Sequence, residues 1–155
     1  MGNVYYLQGD LEQTVSYYQS AMCYSDDKEW KGLLAQSLAK IYQEHYGNYD
    51  AAQASMQLAV ELNPEELDYH VQLGVVSFEK EDYHTAEATY EKAITKFPYN
   101  PLLFSSLGYM KWMDHQIDEA VALYERSMEL DPYYEVPYNN RGVIYLASIA
   151  VSYTH

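Results

Sequence analysis

Residues Leu67–Asn100 read LDYHVQLGVVSFEKEDYHTAEATYEKAITKFPYN, and their pattern of small, aromatic and proline residues recurs along the chain. Gly74, Gly108 and Gly142 stand 34 residues apart. The same interval separates Ala52, Ala86 and Ala120, then Met56, Tyr90 and Tyr124. It also separates Ala59, Ala93 and Ser127, and finally Pro64, Pro98 and Pro132. A fixed period of this length marks a structural repeat in which each unit buries its apolar face against its neighbours.

The residue types predict a helical hairpin in each repeat. Glycine and alanine let two helices approach closely, and the large residue at Tyr90 and Tyr124 fills the space towards the next repeat. The closing proline lacks an N–H and stops the second helix. Pro101 then suits the first turn of the next helix, where a missing donor costs nothing. Working outward, Asp10 is a candidate N-cap for a helix to about Tyr24, with Leu11, Val15, Tyr18 and Met22 on one face. The repeat from Gly32 to Glu65 carries one extra residue, in EHYGNYD. Placed inside a helix, that residue would rotate the apolar face by about 100°, so it is expected in the turn.

This constellation resembles the tetratricopeptide repeat (TPR) family. The resemblance implies an all-α, TPR-type α-solenoid of antiparallel helix pairs in a right-handed superhelical stack. One segment, 1–155, would contain a partial repeat at 1–26, repeats at 32–65, 67–100 and 101–134, and a partial repeat at 135–155. In the partial first repeat, Gly2 and Tyr5 would end a first helix and Gly9 would open the second. Several positions depart from the family pattern. The turn glycine is Glu81 and His115, a frequent tyrosine is Ser77 and Lys111, and Arg141 replaces a leucine. The half-repeat at the start and the apolar tail through Val143, Ile144, Tyr145, Leu146, Ile149 and Val151 lead us to expect a piece of a longer array.

Composition narrows the function. The formal charge is −14, from 23 acids against 9 bases. That balance opposes phosphate neutralisation, so neither nucleic acid nor an anionic membrane surface is an expected partner. Cys23 is the only cysteine, which excludes an intramolecular disulfide and a Cys-rich metal site. The N-terminus lacks the basic and apolar regions of a signal peptide, and no apolar run is long enough to span a bilayer. A cytoplasmic location is expected.

No catalytic or cofactor signature is present. The histidines His45, His70, His84, His115 and His155 show no HExxH spacing, and there is no G-x-S-x-G elbow or glycine-rich phosphate loop. No catalysis, metal or cofactor is expected. Tyr5, Tyr18, Tyr42, Tyr49, Tyr83, Tyr90, Tyr124 and Tyr145 read as packing residues, while Tyr5–Tyr6, Tyr17–Tyr18 and Tyr133–Tyr134 leave rings for contact.

The resemblance instead implies a concave groove lined by first helices and presented to a peptide or helix of a protein partner. Carried onto this chain, it would use Val71, Gln72, Val75 and Phe78, then Ser106, Tyr109, Trp112 and Met113, then Asn139, Asn140 and Val143. The apolar members suit an amphipathic segment. The two-carboxylate clamp of TPR co-chaperones is not expected. Gln36, Lys40, Gln72, Leu102 and Ser106 occupy its places, and only Lys40 is basic. Two other readings are a small acidic TPR chaperone shielding an apolar client, and self-association through the helix at 135–155.

Overall fold

A computed structural model describes residues 10–152, with side chains as far as Tyr145. Every regular element among the described residues is an α-helix. The helices are α1 (Leu11–Tyr24), α2 (Lys28–Glu44), α3 (Tyr49–Leu62), α4 (Leu67–Glu79), α5 (Tyr83–Lys96), α6 (Pro101–Met113), α7 (Ile117–Leu130) and α8 (Glu135–Ser152). They form two compact units, one ending at Asp82 and the other beginning at Tyr83. The residues Gly2, Tyr5, Tyr6 and Gly9, and the side chains of Leu146, Ile149 and Val151, lie outside the described residues.

Caps fix the helix starts. The Asp10 carboxylate accepts from the Gln13 N–H, Asp27 from Trp30, Asn48 from Ala51 and Asn100 from Leu102. Each satisfies a donor that the first helical turn leaves unpaired. Pro101 occupies the first turn of α6. The second helices α3, α5 and α7 end at Leu62, Lys96 and Leu130, each two residues before a proline. Their exits share one hydrogen-bond pattern. Asn63, Phe97 and Asp131 donate backbone N–H groups to Ala59, Ala93 and Ser127.

The turns between paired helices explain the departures from glycine. In 80–82 and 114–116, Asp82 donates to the Ser77 carbonyl and Gln116 to the Lys111 carbonyl, closing the preceding helix end. That closure needs a left-handed residue, and Glu81 (φ 66°) and His115 (φ 62°) adopt it. Gly47 supplies the same conformation (φ 60°) in the turn between α2 and α3. There the closing bond runs from Asn48 back to Tyr42, so the loop at 45–48 absorbs the extra residue and both helices keep their registers.

In the N-terminal unit, Met56 is fully buried among Ala35, Ala39, Ala52, Ala59, Leu73 and Val76. A second cluster gathers Tyr18, Leu34, Leu38 and Ile41, with Leu11, Val15 and Met22 of α1 against it. Gly32 permits a further close approach: a Cβ there would lie 2.1 Å from Asn63 Nδ2 and 3.1 Å from the Tyr69 ring. Asn63 Nδ2 donates to the Lys28 carbonyl, tying the end of α3 to the start of α2. In the C-terminal unit, Tyr90 and Tyr124 are buried, and Tyr124 packs with Ala120 and Ile144. A Cβ at Gly108 would stand 2.9 Å from the Tyr124 ring.

Two sequence expectations need correction. Gly142 holds the repeat position of Gly108, yet a Cβ there would meet nothing within 4 Å, because no described helix packs against that face. Tyr83 and Tyr145 are not interior packing residues: they are 49% and 65% exposed. Tyr83 opens α5 at a turn, and Tyr145 lies on the uncovered side of α8.

The positions where tyrosine is frequent became polar links. Ser77 is fully buried, and its hydroxyl accepts from Gln53 Nε2 of α3 at 3.0 Å. Lys111, at the equivalent place on α6, pairs with Glu87 of α5 and lies 3.3 Å from Glu119 of α7. The Lys111 pKa is raised, chiefly by its bond to Glu87. Arg141 reaches Glu125 at 3.4 Å and stays half-exposed, so its charge is not buried in a packing position.

The backbone geometry gives opposite predictions for glycine substitutions in each direction. Glu81→Gly and His115→Gly relieve left-handed strain and should stabilise by about 0.5–1 kcal/mol each. Gly108→Ala must displace the Tyr124 ring and should cost about 1–3 kcal/mol. Gly142→Ala meets open space and should gain up to about 1 kcal/mol from helix propensity. Urea midpoints followed by circular dichroism check all four.

Candidate functional site

The N-terminal unit assembles a groove between the first helices α2 and α4. Two amide–carboxylate links bracket it. Asp68 accepts from Gln36 Nε2 across the helices at 2.8 Å and from Gln72 Nε2 on its own helix at 2.7 Å. At the other end, Gln43 of α2 donates to Glu79 of α4. Between the links lies a recess of about 490 Å³. Ala39, Met56 and Val76 form its apolar floor, and Ser37, Lys40, Gln43, Glu44, Gln72 and Val75 form its walls.

This arrangement follows from residue size. Alanine at positions 35 and 39 lets Met56 reach between α2 and α4, where its flexible thioether fills an irregular gap. The side chains one turn outward are long and polar, so they lean over this floor while their amides remain at the rim. Lys40 is the only cation in the groove and lies 3.9 Å from Glu44, with both side chains largely exposed.

The expected site residues divide between the units. Gln72 and Val75 line the groove on α4, with Val75 40% exposed. Val71 and Phe78 are half-buried on the same helix. In the C-terminal unit, Tyr109 and Trp112 form a tilted pair, ring centroids 5.7 Å apart. Trp112 also rests on the Ala120–Tyr124–Ile144 cluster. Met113 is exposed in a separate recess with Met110 and Tyr83, while Asn139 and Val143 are exposed on α8. Ser106 and Asn140 turn to buried tyrosines instead. The Ser106 side chain hydrogen-bonds the Tyr90 hydroxyl, and Asn140 lies beside the Tyr124 hydroxyl without completing a bond to it.

Sequence reasoning missed Gln43 and the floor at Met56 as groove residues, and treated Gln36 and Lys40 only as failed clamp positions. The signal was available. The first-helix positions that gave Val71, Gln72, Val75 and Phe78 also exist in the repeat beginning at Gly32, where they hold Gln36, Ser37, Lys40 and Gln43.

Among the described residues no group of three His, Cys, Asp or Glu side chains could hold a metal ion. Among them, too, no helix is long and apolar enough to cross a membrane. The tyrosines are perturbed for structural reasons. Burial pushes Tyr124 up to about 12, partly offset by Asn140 and reinforced by Tyr109. Burial also raises Tyr90, offset by Ser106.

These differences separate two otherwise similar substitutions. Tyr90→Phe removes a made hydrogen bond and should cost about 1 kcal/mol, whereas Tyr124→Phe removes a buried hydroxyl without a partner and should be neutral or stabilising. Tyr124 is favoured neutral in the fold, so its contribution is complete below the unfolded value of 10.0 and is lost as pH rises towards about 12. Denaturation at increasing pH should show that loss in the parent chain and a smaller one in Tyr124→Phe.

Comparison with known proteins agrees with this architecture. Residues 46–101 match the family model described as tetratricopeptide repeat. A crystal structure of MamA superposes with a TM-score of 0.75 at 20% identity, covering 96% of this chain and 84% of that one. A crystal structure of YrrB, described as "a TPR protein with an unusual peptide-binding site", gives 0.72 at 16% identity over 91% and 71% of the two chains. The first TPR of Spaghetti (RPAP3), bound to an HSP90 peptide, gives 0.67 at 21% identity over 78% and 95%. No curated protein matches the chain by sequence. Residues 46–101 thus carry a tetratricopeptide repeat match, and the described residues share the all-α fold of antiparallel helix pairs seen in these TPR structures.

Proposed function

We propose that this chain is a non-catalytic protein-interaction scaffold whose first-helix face binds a peptide segment of a partner. The observation that carries the reading is the groove between α2 and α4, with its apolar floor and its rim of glutamine amides. Glutamine can both donate to and accept from a peptide backbone, so such a rim recognises an extended chain through its amides. Each bond of that kind contributes about 1 kcal/mol net, while peptide side chains that pack on the exposed Val75 supply the apolar gain.

The groove chemistry also narrows the ligand. With Lys40 as the sole cation and Glu44 beside it, the face lacks the charge to hold a dicarboxylate terminus. A segment with a neutral backbone stretch and small apolar side chains suits it better. The YrrB and RPAP3 structures, one described by its peptide-binding site and one bound to a peptide, support peptide recognition as a use of this fold.

A random-peptide display selection on the immobilised chain tests the proposal, with affinities measured by fluorescence anisotropy. Val75→Glu places a charge in the groove and should weaken the selected peptides at least about tenfold, equivalent to about 1.4 kcal/mol. Gln72→Ala should weaken them less, and both variants should retain parental helicity. Equal binding by the parent and Val75→Glu, or failure to select any peptide, contradicts the reading.

A further inference from the structure

The C-terminal unit contains a second recess, of about 310 Å³, where the start of α5 meets the end of α6. Tyr83, Met110 and Met113 give it soft apolar walls, and Tyr83 and Met113 are 49% and 45% exposed. Its charged lining is Glu87 and Asp114, with His84 beside them. Lys111 balances only part of this charge. It pairs with Glu87 and is shared with Glu119, which is not part of the lining, so Asp114 is the carboxylate of the recess that Lys111 does not balance. Gln116 Nε2 donates to Asp114 and orients that carboxylate at the rim.

Apolar walls with a carboxylate rim are unfavourable for an anion and offer little to a neutral polar group. They are complementary to a cation carried on an apolar stem. Methylenes pack against the thioethers, while a planar cation can stack on an aromatic face and fork to a carboxylate. The volume accommodates one long side chain rather than a peptide segment. The chain as a whole carries a formal charge of −14, which would attract a basic partner from a distance.

We propose that this recess receives an arginine side chain presented by a basic segment of a protein partner. The site lies wholly within the C-terminal unit and does not depend on the groove between α2 and α4.

The test uses the full chain with 13C-labelled methionine methyl groups. Met110→Leu and Met113→Leu variants assign the two reporter signals. The probes are the blocked peptide acetyl-Gly-Ser-Arg-Val-Gly-Ser-amide and its citrulline counterpart, which keeps the shape and removes the charge. The arginine peptide should shift the Met110 and Met113 methyl signals in a salt-sensitive way and leave Met56 unmoved, and the citrulline peptide should shift neither. Asp114→Asn should weaken the arginine peptide at least about fivefold. Equal shifts with both peptides, no shift at Met110 and Met113 up to millimolar peptide, or unchanged affinity in folded Asp114→Asn overturns the proposal. The peptide comparison needs only the parent chain, so it decides the matter even where that variant does not fold.

Discussion

A large side chain buried against very small ones sets the rest of this structure. Met56 lies among Ala35, Ala39 and Ala52, and Tyr124 lies against Gly108 and Ala120. Close packing of this kind leaves little tolerance for added or lost volume. Truncating such a residue to alanine costs about 2–5 kcal/mol, against a total stability of about 5–15 kcal/mol for an ordinary domain. The interior positions are therefore constrained while the outer faces of the same helices are free to acquire binding chemistry.

The identity of the buried residue also decides what the next first helix can present. Where the filler is Tyr90 or Tyr124, Ser106 or Asn140 turns towards its hydroxyl. Where the filler is Met56, no hydroxyl competes, and Gln72 instead bonds Asp68 at the groove rim. A similar exchange occurs at Ser77 and Lys111. Each lacks the aromatic ring frequent at that position, and each is matched by a polar partner on the preceding helix, Gln53 or Glu87. These pairs are coupled, so neither member can be interpreted by itself.

The helix pairs were legible because their signals are local and repeated. Capping by Asp10, helix stops before Pro64, Pro98 and Pro132, and the extra residue near Gly47 all depend on neighbouring sequence. Side-chain direction was less legible. The repeat position alone could not show that Ser106 and Asn140 turn to buried phenols, because their partners lie on the preceding helix. Nor could it show that Tyr145 and Gly142 face open space, since family positions imply a packing partner that must be present to fill them. The groove floor at Met56 was hidden for the opposite reason. It reads as core from its periodicity and is fully buried, yet it lies directly beneath the groove, between α2 and α4.

The most direct test of the binding account is an intermolecular NOE experiment with a display-selected peptide on the methyl-labelled chain. The account predicts contacts from the peptide to the Val75 and Met56 methyl groups, with peptide backbone amides close to the side chains of Gln36, Gln43 or Gln72. Contacts confined to other surfaces, with Val75 and Met56 silent while the peptide is bound, would contradict it.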